Sequence, residues 1–225
     1  MLTQDEIKKK LGKYAADLVP ANSVIGMGTG STVFWLIQEL AVRARDGFSI
    51  RIVPTSKQTK KLAAEAGISS IELNDADRLA LTIDGADEID DRFQLIKGAG
   101  GALLQEKMVA AASEKLIIIA DETKLVKQLG HFPLPVEVIA GGWKQVQKKI
   151  IAFGCSKAEL RKVNDRAFVT DNSHYILDCY FEKIEDGAAI NISLHLIPGV
   201  VETGLFINMA HSVIIGRADG TIEVK

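Results

Sequence analysis

The feature that most constrains this chain is a regular alternation of two patterns. Short β-branched runs that stop in glycine are followed by longer stretches with apolar residues at helical spacing. Ser23-Val24-Ile25-Gly26-Met27 reads as a strand, and Val33, Leu36, Ile37, Leu40, Ala41 and Ala44 mark a helix closing at Gly47. Ile50 to Val53 is a second strand, and Lys57 to Ala66 a helix with Gly67 just past its end. Ile68 to Leu73 and Leu79 to Ile83 are expected strands, and Ala102 to Ala112 a helix. Lys115 to Ala120 is a strand apolar enough to be buried on both faces. Ahead of these, Thr3 and Glu6 form a capping box for a helix carrying Ile7, Leu11, Tyr14, Ala15 and Leu18, which Pro20 ends. The alternation implies a parallel sheet with helices on both faces.

Past Gly130 the texture changes. Phe132-Pro133-Leu134-Pro135 carries two prolines, so a strand there is expected to begin after them. Trp143 to Phe153 and Ala188 to Leu196 read as helices, and Val200 to Phe206 as a strand. Arg166 to Val169 and Tyr175 to Phe181 read as a hairpin around Thr170-Asp171-Asn172-Ser173. That βαββαβ order suits a small ferredoxin-like module. Ser212 to Ile215 and Thr221 to Val224 are placed back in the main sheet. The expected fold is therefore α/β, with two parts. Residues 1–130 with 207–225 form a Rossmann-like, mostly parallel sheet, and residues 131–206 a smaller ferredoxin-like α+β domain.

Charge narrows the partners. Lys plus Arg is 27 against 29 for Asp plus Glu, a net charge of −2, which gives no footprint for nucleic acid or an anionic membrane. The N-terminus lacks the basic start and apolar core of a signal peptide. The longest apolar run, Leu116 to Ala120, is far short of the ~20 residues a membrane span needs. Cys155 and Cys179 are too few and too far apart for a disulfide framework or a CxxC motif, and read as two reduced buried thiols. These features point to a cytoplasmic protein.

The chemistry-bearing residues fall in the loops after strands. Gly26-Met27-Gly28-Thr29-Gly30-Ser31-Thr32 joins a strand to a helix, where glycines allow close approach and the helix start offers N–H groups to an anion. The hydroxyls of Thr29, Ser31 and Thr32 suit phosphate oxygens, although Ser31 or Thr32 could equally cap the helix. A Walker A loop is excluded because no lysine follows the glycines. The dinucleotide fingerprint lacks its third glycine, at Ser31, and the acidic residue on the second strand, which ends Val53-Pro54-Thr55-Ser56-Lys57. A small phosphorylated metabolite fits better.

Asp84-Gly85-Ala86-Asp87-Glu88-Ile89-Asp90 follows another strand and reads either as a solvated turn or as an octahedral magnesium site. Asp84, directly after apolar Ile83, is expected to turn away from solvent. Lys97-Gly98-Ala99-Gly100-Gly101 leads into the helix bearing Glu106, which by itself reads as part of a polar stripe with Gln105 and Lys107. Lys124 ends the turn Asp121-Glu122-Thr123 and suits a phosphate or plain solvation. His131, His174, His195 and His211 show no ligand spacing. Carboxylates and a lysine without metal or redox motifs suit proton abstraction beside a carbonyl, which needs a base, an oxyanion donor and a phosphate anchor.

The blocks Gly28 to Thr32, Asp84 to Glu88, Lys97 to Lys107 and Asp121 to Lys124 resemble those of the type A ribose-5-phosphate isomerase family. Phe132 to Val138 and Ile197-Pro198-Gly199-Val200-Val201 are similar too, and the blocks keep the family's order over nearly the whole chain. The resemblance implies interconversion of D-ribose 5-phosphate and D-ribulose 5-phosphate through a cis-enediolate, without cofactor or metal. By that likeness Glu106 moves the proton between C1 and C2. Asp84 and Lys97, with Asp87 beside them, assist at the oxygens. Thr29, Gly30, Ser31, Thr32 and Lys124 hold the phosphate end, and Gly85, Ala86, Gly98, Ala99 and Gly100 line the substrate. The resemblance also implies a homodimer or homotetramer. One departure is visible: the family usually has glycine where Ala99 stands, which is tolerable unless that position needs a positive φ.

A sugar-phosphate sensor without catalysis is the rival from another class. Regulators of that kind carry a DNA-binding domain, and about twenty residues with one helix precede the first strand here. An amino-sugar phosphate isomerase-deaminase would need a histidine in these loops, where none stands, and an acyl-CoA transferase is the remaining relative.

Overall fold

The computed structural model describes residues 2–225, and its chain divides into two compact units. Of the described residues, the first comprises 2–86, 105–124 and 209–225; the second comprises 87–104 and 125–208.

The first unit follows the alternation. Helix α1 (Gln4–Asp17) starts at the expected capping box, with Thr3 and Glu6 bonded reciprocally. Strand β1 (Ser23–Met27), helix α2 (Ser31–Arg45), strand β2 (Ile50–Pro54), helix α3 (Lys57–Glu65) and strand β3 (Ser69–Ser70) come next. Strand β4 (Thr82–Asp84) closes this first stretch. In the second unit β5 (Glu88–Ile89) and β6 (Leu95–Ile96) precede helix α4 (Leu103–Ala111), most of which belongs to the first unit. Strand β7 (Leu116–Asp121) follows α4 in the first unit. The second unit then runs β8 (Leu134–Val138), α5 (Trp143–Ala152), β9 (Lys157–Leu160), β10 (Lys162–Val163), β11 (Arg166–Ala167), β12 (Tyr175–Tyr180), α6 (Gly187–His195), β13 (Val200–Thr203) and β14 (Leu205–Phe206). Strands β15 (Ser212–Gly216) and β16 (Ile222–Val224) return to the first unit.

The main sheet has the order β16-β15-β7-β4-β1-β2-β3, and all of its pairs are parallel except β15–β16. One face, bearing Ile25, Met27, Ile52, Ile83 and Ile119, packs against Ile7, Leu11, Leu36, Leu40 and Ala63 of α1 to α3. On the other face Val53 and Leu79 pack with Val109 of α4. Two strands are shorter than the pattern suggests. Only Ser69 and Ser70 pair in the run from Ile68 to Leu73, where the chain turns into a 3₁₀ helix at Leu73. Leu79 makes just an isolated bridge to Ser113, and its strand proper begins at Thr82.

The second unit has the expected βαββαβ path. Its four-stranded sheet, β13-β8-β12-β9, is antiparallel, with α5 and α6 supplying Val146, Ile150 and Leu194 to its core. Three details correct the sequence reading. The expected hairpin of 166–169 with 175–181 is absent, because β11 pairs with β10 and β12 lies between β8 and β9. Asn164 (φ 50°) and Asp165 (φ 61°) are both left-handed, as the two-residue turn of a tight hairpin requires. Pro135 lies inside β8 rather than before it, opposite Asp178. This is tolerated because on the β13 side Pro135 uses only its carbonyl, which accepts from Gly204 at 2.7 Å, while the Gly204 carbonyl takes the N–H of Lys97 at 2.9 Å. Residues 87–104 group with the second unit because β5 pairs with β6 and β6 with β14. Both cysteines are free and buried, and no helix among the described residues is long and apolar enough to cross a membrane.

Candidate active site

In the first unit the loop from Gly28 to Gly30 carries β1 into α2. Gly30 is the helix N-cap, at φ 127°, and no side chain caps the helix. Ser31 and Thr32 are therefore the first helical residues, and the capping role weighed for them is not the one they fill. Thr29 behaves differently from its neighbours. Its hydroxyl is held by Thr55 Oγ1 at 2.8 Å, Ser56 Oγ at 2.8 Å and Thr59 Oγ1 at 3.0 Å. Thr59, 2% exposed, passes its own proton to the carbonyl of Gly28 at 2.8 Å. The loop is thus braced from below by the start of α3, a support visible in sequence only as the hydroxyl-rich Thr55-Ser56 and Thr59.

Asp84, at the end of β4, is 1% exposed, as its position after Ile83 suggests. Its Oδ1 accepts the N–H groups of Thr29 (3.1 Å) and Gly85 (2.8 Å). Gly28 passes so close that a Cβ there would lie 2.0 Å from Asp84 Oδ1. Glu106, in the first turn of α4, is 4% exposed, so the polar-stripe reading of this residue is wrong. Lys124 sits half-buried at the end of a 3₁₀ turn after β7, while Asp121 caps that turn through the N–H of Thr123 at 3.1 Å.

In the second unit Lys97 is 2% exposed, and its ammonium lies 5.3 Å from the ring centroid of buried Phe206. Its backbone N–H donates to Gly204 at 2.9 Å. Gly98 (φ 108°) and Gly101 (φ 80°) need the left-handed freedom of glycine, but Ala99 is not among the residues with positive φ. The alanine at this departure from the family pattern therefore costs no backbone strain. Asp87 Oδ2 accepts the N–H of Ala99 at 2.9 Å, while Gly100 is exposed. The other two acids of this block are structural. Glu88 accepts from Gly130 at 2.7 Å and from Phe132, and Asp90 Oδ1 accepts from Arg92 at 2.9 Å and Gln94 at 2.8 Å. No group of three or more metal-ligating side chains is clustered among the described residues.

The sequence of residues 51–220 matches the family model described as ribose 5-phosphate isomerase A (phosphoriboisomerase A). The chain belongs to the ribose 5-phosphate isomerase A family. It is 53% identical to ribose-5-phosphate isomerase A of Bacillus mycoides, over 96% of this chain and 98% of that one. It is 46% identical to the Ruegeria pomeroyi protein of the same name, over 98% and 87%. A solved D-ribose-5-phosphate isomerase in complex with phospho-erythronic acid superposes with a TM-score of 0.95 at 39% identity, covering 100% of this chain and 99% of that one. The Plasmodium falciparum ribose 5-phosphate isomerase gives 0.95 at 37%, covering 98% of each chain. The sequence reading missed the hydroxyl brace at Thr55, Ser56 and Thr59, and also Arg161 and Phe168, which touch the glycine loop.

Proposed function

We propose that this chain interconverts D-ribose 5-phosphate and D-ribulose 5-phosphate by proton transfer through a cis-enediolate. The observation that carries the reading is the burial of Glu106 and Asp84, at 4% and 1% exposure, in a chain of this family. A surface stripe would leave Glu106 in water; a base working on carbon is better kept out of it.

Glu106 takes the proton from C2 of the open-chain aldose and returns it to C1 of the enediolate. Asp84, fixed through Oδ1 by two backbone N–H groups, and Lys97 manage protons at the two oxygens during ring opening and enolisation. Asp87 assists in the same proton transfers. The uncapped start of α2, with Gly30, Ser31 and Thr32, meets the phosphate together with Lys124. Thr29 acts there through its loop, since its hydroxyl faces Thr55, Ser56 and Thr59. Gly85, Ala86, Gly98, Ala99 and Gly100 supply backbone to the sugar. One carbon is oxidised as its neighbour is reduced, so the reaction needs no external redox partner. We read the protein as cytoplasmic and as a homodimer or homotetramer, which sedimentation of the purified chain checks.

The test is conversion of ribose 5-phosphate by the purified protein with EDTA present and no cofactor added. Turnover is expected, and Glu106→Gln should lose roughly 10²–10⁴ in kcat, the usual worth of a general base, while still binding substrate. Saturable binding without turnover by the unmodified protein would favour the sensor instead. Near-normal turnover by the variant would remove Glu106 from the base's role.

A further inference from the structure

One peptide of the glycine loop is held between two opposite charges. The carbonyl of Gly98 accepts a hydrogen bond from Arg161 Nη1 at 2.7 Å, and the N–H on the other side of that same peptide, at Ala99, donates to Asp87 Oδ2 at 2.9 Å. Arg161 Nη1 also reaches the Ala99 carbonyl at 3.1 Å. The remaining edge of the guanidinium, Nε and Nη2, grips both carboxylate oxygens of Asp178, with Nε at 3.0 Å. The Arg161 and Asp178 side chains are 13% and 18% exposed.

We infer that Arg161 is a positioning residue, holding the Gly98–Ala99 peptide and, through it, the Asp87 carboxylate in working geometry. This rests on the reading of Asp87 and the glycine loop as part of the isomerase site. Three physical points support it. A cation on the carbonyl and an anion on the N–H polarise the peptide in the same direction, so each bond strengthens the other. Ala99 and Gly100 are exposed and flank no secondary structure, so hydrogen bonds rather than packing must fix their backbone. Finally, Arg161 is itself rigid. Its N–H donates to Ile176 of β12 and its carbonyl accepts from Phe168, both at 2.9 Å. Phe168 in turn covers Gly101, where a Cβ would lie 2.4 Å from its ring. One short stretch of chain thus pins both ends of the loop.

Lysine cannot replace this arginine. A single ammonium cannot reach a carboxylate with one edge and two carbonyls with another, whereas the planar fork of five donors does. Arg161→Ala should fold, because its backbone bonds survive, but lose on the order of 10² in kcat, the scale of a 1 Å misplacement in a site. Arg161→Lys should be nearly as poor. Guanidinium ion at millimolar, non-denaturing concentration should restore at least ~10-fold to Arg161→Ala and nothing to the unmodified protein. Hydrogen exchange at the Ala99 amide should be protected in the unmodified chain and fast in Arg161→Ala.

Full activity in a folded Arg161→Ala would overturn the inference. So would an activity loss that tracks the unfolded fraction in a urea melt and is not rescued by guanidinium. The two readings fail separately. If the unmodified protein does not turn over ribose 5-phosphate, the isomerase reading falls, and faster Ala99 exchange in the variant still supports the peptide clamp. An Ala99 amide exchanging equally in both proteins refutes the clamp whatever the activity.

Discussion

Gly28→Ala is the sharpest probe of how the first unit builds its site. The added methyl carbon would stand 2.0 Å from Asp84 Oδ1, 2.2 Å from Cγ and 2.7 Å from the backbone Cα. Carbon atoms rest at about 3.5–4.0 Å, so this overlap cannot be absorbed by a small adjustment. Rotating the Asp84 side chain clears the first two contacts and gives up the N–H groups of Thr29 and Gly85. It does not clear the third, which requires β1 and β4 to part where the Gly28 N–H donates to Ile83 at 2.9 Å. Overpacking of this kind costs about 1–3 kcal/mol, and each lost charge-assisted bond about 1.5–3 kcal/mol before new solvation. A net destabilisation of about 2–5 kcal/mol follows, large for a single substitution but short of abolishing the fold. A carboxylate displaced by about 1 Å should lower kcat by on the order of 10².

Gly26→Ala is the control that separates the two effects. It lies two residues earlier on the same face of β1, and its Cβ would stand 1.8 Å from Thr82 Oγ1 and 2.6 Å from Val109 Cγ1. It strains the same sheet without touching Asp84. Urea melts of both variants, with kcat expressed per folded molecule, should show comparable losses of stability and a larger loss of kcat in Gly28→Ala, since Gly26→Ala presses on α4 only through Val109. A Gly28→Ala protein with kcat within about threefold of the unmodified enzyme would refute the argument, since an undisturbed site is incompatible with a displacement worth 10².

Two further substitutions test supports rather than catalysts. Thr59→Val keeps the shape but removes the hydroxyl that reaches Gly28 and bonds Thr29 and Ser56. It should cost about 1–3 kcal/mol, and steady-state kinetics should show KM raised more than kcat is lowered, with Thr59→Ser recovering both. Glu88→Gln sets a donor amide against the N–H of Gly130 or Phe132. It should cost about 1–3 kcal/mol by urea denaturation and leave KM unchanged, because both Glu88 oxygens are taken up by the N–H groups of Gly130 and Phe132.

The parts of the fold that could be read from sequence are those where one period runs long enough to be seen. Strand β7 is buried along its whole length and reads as an unbroken apolar run from Leu116 to Ala120. The helices α1 and α2 repeat their apolar positions over several turns; α1 also starts at a capping box, and Gly47 follows the end of α2. Strands β3, β5, β6 and β14 have two residues each, too few to show an alternation. The hairpin of β10 and β11 was hidden for another reason. Its turn, Asn164-Asp165, lacks the glycine that marks most tight hairpins, and only its positive φ values reveal it. Pro135 argued against a strand because proline cannot donate to both neighbours, a rule that lapses where the facing carbonyl, here that of Gly204, already has another donor in Lys97.

The site shows the same division between what a residue is and what surrounds it. Asp84 could be placed because its environment is local, one residue after buried Ile83. Glu106 could not, because its sequence neighbours Gln105 and Lys107 describe a wet helix face while packing buries it to 4% exposure. Chemical type and glycine spacing mark the loops; it is the resemblance of whole blocks that singles out Glu106 as the expected base. Residue type and spacing are silent about Arg161, which stands 63 residues from Gly98 in sequence and reaches the carbonyls of Gly98 and Ala99 at 2.7 Å and 3.1 Å. Residues that act on substrate are constrained by chemistry and leave motifs; residues that act on the motif's backbone are constrained only by where the chain returns. For such residues side-chain type carries little information, and the Gly98–Ala99 peptide, bonded to a cation at one end and an anion at the other, is where the fold supplies it.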